Sequence, residues 1–342
     1  MTAPMRGMIQ LAVLDPMLYG AARAFEYLGI RGQDMLDRIG DGIIEYGLSE
    51  GYFEKANDPH QFVGNIVKFF LQNGYLSDIN VSQSGDTLDI SMWNWKFLPL
   101  MRKLRSRNSY LLTCPVCMAN NAITKSAGGV GERISENVTP NGIYTMKVKI
   151  VPGTTNTEST VIPLHPADLT QTKINDQLNE SVGLHAFETV AYGLACGFDY
   201  LGAQAQLILD NIGTGMLEFM REESNLKLPD DVEGSLETLC TFMASRGLAD
   251  TIRVQFSQTK VDVDFRNYHY LPVLKRLLER GRALISCPYT LTARAVIRDK
   301  GLRVGDMQWQ VGTNDARLTM ATLDADKQQF DENTVSRMMG PT

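Results

Sequence analysis

The spacing of apolar residues predicts a chain that alternates amphipathic helices with short β-hairpins. From about Gln33 to Tyr46, apolar residues recur every three or four positions, which is typical of one face of a helix. Asp58-Pro59 and Asn73-Gly74 bracket a further helix, because the first pair starts helices and the second ends them. Its apolar face is unusually wide, so we expect this helix to be largely buried.

A shorter period marks the strands. From Ile79 to Ile90, apolar and polar residues alternate on both sides of a Ser-Gly-Asp turn, which predicts a β-hairpin. After it come an aromatic cluster, a basic amphipathic helix, a Cys-Pro step that predicts the start of another helix, and a final pair of strands. At the amino-terminal end, Asp15 is predicted to cap a helix over about Pro16 to Leu28.

This pattern of elements occurs twice. The stretch Tyr19–Gly42, YGAARAFEYLGIRGQDMLDRIGDG, returns as Tyr192–Gly215, YGLACGFDYLGAQAQLILDNIGTG, at an offset of 173 positions (192 − 19) and without a gap. The same offset pairs Cys114-Pro115 with Cys287-Pro288. A repeat of roughly 150 residues is the size of a domain. We therefore predict two copies of one α+β fold, packed through equivalent surfaces as an internal pseudo-dimer.

The repeat also sets the predicted domain boundaries. We assign residues 1–151 to the first repeat, 152–184 to a linker, 185–326 to the second repeat and 327–342 to a polar, flexible tail. Gly40 and Gly42 lie inside a predicted helix, and both have counterparts in the second copy. Glycine there costs up to about 1 kcal/mol against alanine, which indicates a close neighbouring backbone. Tight helix packing is the favoured explanation, and a ligand at that place is the alternative.

Composition narrows the class of protein. The 342 residues are 44% hydrophobic and 21% charged with a formal net charge of −6, which predicts a globular protein and argues against nucleic acid as a partner. The amino-terminal residues lack the pattern of a signal peptide, and no stretch predicts a membrane span. Five cysteines without a disulfide framework favour a reducing compartment, so we predict a cytoplasmic location.

The cysteines do not by themselves indicate a chemistry. Cys114-Pro-Val-Cys117 has the spacing of zinc and redox sites, but no second ligand pair follows, and Thr290 replaces the second cysteine in the repeat. A buried or pocket-lining thiol at Cys114 and Cys287 is the favoured interpretation, with no metal. No catalytic constellation of cysteine or serine with histidine is indicated, so we lean against an enzyme, and the cofactor is unknown.

Two further groups of residues stand out. A basic run on the fourth helix of each copy predicts a solvated helix face, with an anion or acidic-partner site as the alternative; it comprises Lys96, Arg102, Lys103, Arg105, Arg107, Lys275, Arg276, Arg280 and Arg282. The aromatic cluster predicts either core packing or an apolar pocket. The predicted ligand-binding residues are Trp93, Trp95, Phe97, Tyr110, Cys114, Phe69 and Phe70 in the first copy and Tyr268, His269 and Cys287 in the second.

This order of elements, with Tyr19-Gly20, the run from Phe69 to Leu76, Cys114 and the glycines of residues 128–131, resembles the hydrocarbon-binding or four-vinyl-reductase domain of the TRAPP-like superfamily. The resemblance implies a helical domain with an antiparallel sheet that encloses an apolar cavity and pairs as a dimer. It also implies a small aromatic or tetrapyrrole-like ligand. The later cysteine and glutamate ligands of zinc-binding members are missing from this sequence, so the zinc site is not carried over.

Three classes of function stay open. The first is a non-catalytic sensor, carrier or accessory protein that binds a small apolar, aromatic or tetrapyrrole-like ligand. The second is a scaffold or accessory subunit of a larger complex, which would present an exposed apolar patch to a protein partner. The third is an enzyme of tetrapyrrole or aromatic metabolism. In each class a homo-oligomer or a hetero-complex stays open.

Overall fold

A computed structural model describes residues 7–26, 31–107, 109, 114–126, 129–139, 141–152, 180–199, 205–257, 259–281 and 286–324. Most of the predicted linker and the whole predicted tail lie outside these ranges. The protein is α+β with antiparallel sheets. No helix of the described ranges is long and apolar enough to cross a membrane.

The two halves of the chain contain the same elements in the same order. The first half runs β1(Met8–Gln10), α1(Leu11–Glu26), α2(Arg31–Ser49), α3(Pro59–Gln72), β2(Asp78–Ser84), β3(Thr87–Trp93), α4(Leu98–Ser106), α5(Pro115–Ser126), β4(Gly129–Val138) and β5(Tyr144–Pro152). The second runs β6(Ser181–Gly183), α6(Leu184–Asp199), α7(Ala205–Glu223), α8(Val232–Ser245), β7(Thr251–Ser257), β8(Lys260–Arg266), α9(Leu271–Glu279), α10(Pro288–Asp299), β9(Leu302–Val311) and β10(Ala316–Asp324). Both predicted hairpins are confirmed.

Each half folds its four long strands into one sheet of the same topology. The strand order is β2-β3-β5-β4 in the first half and β7-β8-β10-β9 in the second. Apolar side chains on the inner face of each sheet join the helices in the hydrophobic core, while the outer face of the second sheet carries polar and charged residues. Period-two alternation therefore places one face of these strands against the helices.

The halves contact each other through equivalent elements. Strand β1 pairs antiparallel with β6, so that Ile9 faces Val182. Helix α1 packs on α7 of the other half, and its counterpart α6 packs on α2. These reciprocal contacts are the arrangement that an internal two-fold requires; the pseudo-dimer itself stays a prediction.

Glycines make these helix crossings close, as the sequence indicated. A Cβ built on Gly215 of α7 would lie 2.9 Å from the Cα of Gly20 in α1. At the equivalent crossing, a Cβ on Gly42 would lie 2.8 Å from the Cα of Gly193. Real Cβ atoms do not approach other carbons so closely, so both crossings require glycine. The favoured explanation of tight helix packing is confirmed.

Part of the basic run forms ion pairs between the halves, and Arg282 lies outside the described residues. Arg107 pairs with Glu218, and Arg280, at the same offset of 173, pairs with Glu45 across the same interface. Each carboxylate also accepts a hydrogen bond from a tyrosine of the opposite half, Tyr19 at 3.0 Å for Glu218 and Tyr192 at 2.6 Å for Glu45. Lys103 joins this interface through Glu222, with the ammonium 2.7 Å from a carboxylate oxygen. For these three residues the predicted solvated face is replaced by ion pairs, because their partners are distant in the chain.

The first helix begins earlier than the sequence predicted. Helix α1 starts at Leu11, whose amide donates to the carbonyl of Glu180. Asp15 is therefore not an N-cap but a buried residue inside the helix, and Pro16 follows it within the helix. The pairing of β1 with β6 decides this start, because it places the chain against the second half before Asp15 is reached.

Candidate functional site

The site we describe is centred on Cys114, which is fully buried immediately before α5. The amide of Met118 donates to the Cys114 carbonyl at 2.9 Å, which starts the helix there. Burial raises the pKa of this thiol, but hydrogen bonds from the Cys117 thiol and from the amides of Cys117 and Val116 more than offset the effect. The net pKa of Cys114 is lower than usual, because the amino end of a helix favours a thiolate.

Three buried polar atoms around Cys114 and the neighbouring Tyr75 have no described hydrogen-bond partner. They are the Tyr75 hydroxyl, the Trp95 indole N–H and one carboxylate oxygen of Asp15, among the residues that the structure describes. Tyr75 and Trp95 are at most 3% exposed and Asp15 is 8% exposed. The indole lies close enough to Cys114 to favour its thiolate, but it makes no hydrogen bond of normal geometry.

The pKa of Tyr75 depends on groups from two other parts of the chain. Burial raises the pKa of Tyr75 well above its usual range, and the charges of Cys114, Asp15 and Cys117 raise it further. Burial alone raises the pKa of Asp15. Asp15 comes from α1, Tyr75 from the loop after α3, and the cysteines from the start of α5, so only the tertiary fold brings these groups together.

Aromatic side chains form the apolar surroundings. The ring of Phe70 lies 5.4 Å from that of Tyr75. The Trp95 ring lies 5.3 Å from Phe97 and 4.4 Å from Tyr144, between centroids. The structure thus brings together four of the predicted ligand-binding residues, namely Phe70, Trp95, Phe97 and Cys114, around the unpartnered polar groups.

A buried ion pair lies behind this aromatic layer. Arg105 donates to Glu136 at 2.9 Å, and both side chains are at most 3% exposed. The hydroxyl of Tyr144, whose ring packs on Trp95, also donates to Glu136. The sequence analysis assigned Arg105 to a solvated helix face, but its charged partner on β4 keeps it inside the protein.

The equivalent thiol of the second half has a different environment. Cys287 caps α10 and accepts from the Thr290 amide at 3.4 Å. The Tyr268 hydroxyl, at the position equivalent to Trp95, donates to its sulfur at 2.8 Å. Burial raises the pKa of Cys287, and these hydrogen bonds lower it by less than burial raises it. The ring of Tyr268 stacks on Phe265 and Trp309, while the Thr290 hydroxyl and the Trp309 indole N–H are buried without a partner among the described residues.

The remaining predicted site residues lie elsewhere. Phe69 stacks on Tyr52 at 5.6 Å and faces the junction of α2 with α6 rather than Cys114. Trp93 is half-buried at the end of β3. Tyr110 lies outside the described residues. His269 lines a separate cleft of about 940 Å³ beside β1, and its Nδ1 is 2.6 Å from the Gly247 carbonyl.

Sequence reasoning missed Asp15 and Tyr75. A signal for Asp15 was available, since an offset of 173 aligns it with Glu188, and a carboxylate inside two equivalent apolar helices is unusual. Glu188 accepts from the Tyr52 hydroxyl at 2.7 Å, whereas Asp15 keeps an oxygen without a partner. Tyr75 aligns with Leu248, so the repeat carried no signal for it.

Neither a metal-binding cluster nor a related protein identifies the ligand of this site. The described part of the chain contains no group of three or more His, Cys, Asp or Glu residues that could hold a metal ion. Comparison with protein-family models, with curated proteins and with solved structures gives no match. The resemblance to hydrocarbon-binding domains therefore stays a prediction.

Proposed function

We propose that this protein is a non-catalytic binding protein that holds a small, mainly apolar ligand with one polar group beside Cys114 in its first half. The observation that carries this proposal is the set of buried polar atoms of Tyr75, Trp95 and Asp15 that have no partner. The resemblance to hydrocarbon-binding domains, which implies an aromatic or tetrapyrrole-like ligand, points to the same class of function.

Buried polar atoms without a partner lower the stability of the folded protein. A buried donor or acceptor without a partner costs about 1–3 kcal/mol, and native proteins keep few of them. Here the donors of Tyr75 and Trp95 and one oxygen of Asp15 are buried without a described partner, and the rings of Phe70 and Phe97 pack against Tyr75 and Trp95. A ligand that brings a hydroxyl or carbonyl to this point would satisfy them, and the aromatic walls would favour an apolar body.

The test compares two probes that differ by one polar group, 1-naphthol and naphthalene, in a calorimetric titration of the full chain. We expect 1-naphthol to bind more tightly, because its hydroxyl can pair with the buried groups. Tyr75→Phe should weaken the binding of 1-naphthol by about tenfold, the value of one hydrogen bond, and should leave naphthalene unchanged.

Tyr268→Phe is the matched control. Its hydroxyl is already bonded to Cys287 in the second half, so this variant should bind 1-naphthol as the wild type does. If neither probe binds, or if both variants lose affinity equally, the site beside Cys114 is not a ligand site.

The scaffold alternative has less support. It predicts a contiguous exposed apolar patch, whereas the exposed large hydrophobic residues of the described ranges, Val81, Leu278 and Leu323, lie on β2, α9 and β10. Single exposed apolar residues are ordinary in monomeric proteins. Native mass spectrometry of the protein from its source would distinguish the two classes, since it detects a retained small molecule and a bound subunit separately.

A further inference from the structure

A concave pocket of about 550 Å³ lies on the outer face of the second sheet. Its lining is mainly polar and charged, unlike the aromatic surroundings of Cys114. Strand pairing places Arg253 opposite Asp264, Asp264 opposite Arg317 and Arg317 opposite Gln310, so one row of polar residues crosses all four strands. Arg266 lies two residues from Asp264 on the same face of β8. Three guanidinium groups therefore line this pocket, which we call the arginine pocket.

Two carboxylates, Asp264 and Asp315, line the same pocket, and Asp262 lies two residues from Asp264 on β8. Asp262 pairs with Lys260 at 2.7 Å and accepts from the Thr319 hydroxyl at 2.6 Å. Asp315 accepts from the backbone amide of Asn267 at 3.1 Å.

The three arginines differ in their partners. Arg317 lies 3.5 Å from Asp262 and 3.7 Å from Asp264, which are two long ion pairs. Arg253 and Arg266 are exposed, and neither side chain has an ion pair or a hydrogen bond to another described residue. Two cations therefore face a concave surface without a partner among the described residues.

The first half lacks this feature although its sheet has the same topology. Its corresponding row consists of Asn80, Ser91, Thr145 and Asn137, which are all neutral. Trp93 stands where the second half has Arg266. The arginines therefore do not follow from the fold, and three of them against Asp264 and Asp315 give the pocket lining a net charge of +1 (3 − 2) on a protein of net charge −6.

We propose that the arginine pocket binds a small phosphomonoester. Guanidinium groups present paired N–H donors in a planar fork that matches phosphate oxygens, and charge-assisted hydrogen bonds are about twice as strong as neutral ones. A phosphomonoester dianion offers three oxygens to Arg253, Arg266 and Arg317, and its two charges complement the two unpaired guanidinium groups. The pocket volume suits a small organic phosphate. This proposal does not depend on the site beside Cys114.

The experiment titrates the full chain with glycerol 3-phosphate by calorimetry at low ionic strength, with glycerol and succinate as the neutral and carboxylate probes. We expect glycerol 3-phosphate to bind and glycerol not to bind. Arg253→Gln and Arg266→Gln should each weaken binding by about tenfold, because each removes a charge-assisted hydrogen bond. Arg303→Gln is the control, because Arg303 is exposed on β9 of the same sheet and pairs with Leu323 at the opposite end from Gln310.

Three outcomes would overturn the proposal. The first is a wild-type protein that does not bind glycerol 3-phosphate. The second is an equal loss of affinity in Arg303→Gln, which would show only an effect of net charge. The third is equally tight binding of succinate, which would assign the pocket to carboxylates instead of phosphates.

Discussion

The two halves of this protein share a backbone topology and differ in what they bury behind the sheet. In the first half, Arg105, Glu136 and the Tyr144 hydroxyl form a buried charged network. Strand pairing places Trp309 of the second half where the first half has Glu136, and there it stacks with Phe265 and Tyr268. One fold therefore accepts an ion pair or an aromatic stack in the same layer.

The interface between the halves shows the opposite behaviour. Gly20 and Gly193, Tyr19 and Tyr192, and the pairs formed by Arg107 and Arg280 occur at equal offsets and make equivalent contacts. A close helix crossing admits only glycine, whereas a layer between sheet and helices can be refilled with different side chains. The repeat thus retained the surface through which the halves pack and diverged at the sheets.

The largest effect is expected at the buried ion pair. Arg105→Met should lower the free energy of unfolding by about 3–5 kcal/mol, because it leaves Glu136 buried without its cation. Leu278→Met changes the equivalent position of the second half, which is 44% exposed, and should stay within about 0.5 kcal/mol of the wild type. Urea unfolding measures both, and a loss below about 1 kcal/mol in Arg105→Met would contradict the network.

The two equivalent helix crossings should lose similar stability when their glycines are replaced by alanine. Gly20→Ala and Gly193→Ala should each destabilise the protein by about 1–3 kcal/mol, since an added methyl group overlaps the facing helix. Gly64→Ala on the exposed side of α3, where a Cβ meets nothing, should instead stabilise it by up to about 1 kcal/mol. Thermal unfolding of the three variants is the measurement. Clearly unequal losses at Gly20 and Gly193 would argue against equivalent interfaces.

A third comparison concerns the equivalent carboxylates Asp15 and Glu188. Burial raises the folded-state pKa of Asp15, so its contribution to stability is present below its usual value of 3.8 and is lost as the pH rises through the folded pKa. Asp15→Asn should therefore be more stable than the wild type at pH 8, by about 1–3 kcal/mol, and this gain should vanish at acidic pH.

Glu188→Gln is the counterpart of that variant. Burial raises the pKa of Glu188 too, but hydrogen bonds from Tyr52 and His185 lower it in part, so the gain at pH 8 should be smaller. Unfolding curves recorded across the pH range would decide this, and a gain for Asp15→Asn that does not depend on pH would rule out the titration of Asp15 as its cause.

The smallest expected effect on stability concerns the hydroxyl groups of Tyr268 and Tyr75. Tyr268→Phe should destabilise the protein by about 1 kcal/mol, because the hydrogen bond to Cys287 is lost. Tyr75→Phe should leave stability unchanged or raise it, because its hydroxyl has no partner in the absence of a ligand. Equal losses in calorimetric unfolding would show that the Tyr75 hydroxyl is bonded after all.

Much of the fold could be predicted from local patterns. The hairpins, the end of α3 at Gln72 just before Gly74, and the helices that begin after Cys114 and Cys287 all follow from periodicity and from turn and cap residues. The start of α1 and the strands β1 and β6 could not be predicted, because these three-residue strands exist only by pairing across the two halves. Of the site, Trp95, Phe97 and Cys114 were recognised by residue type.

The sequence by itself determined the duplication, the α+β class and the need for close backbones at Gly40 and Gly42, because each depends on spacing along the chain. Only the tertiary structure decided which residues meet. It paired Arg107 and Arg280 across the interface, brought Asp15 and Cys114 to Tyr75, and gathered three arginines on one sheet face. The physical reason is that burial and charge pairing depend on residues far apart in sequence, and local periodicity contains no information about them.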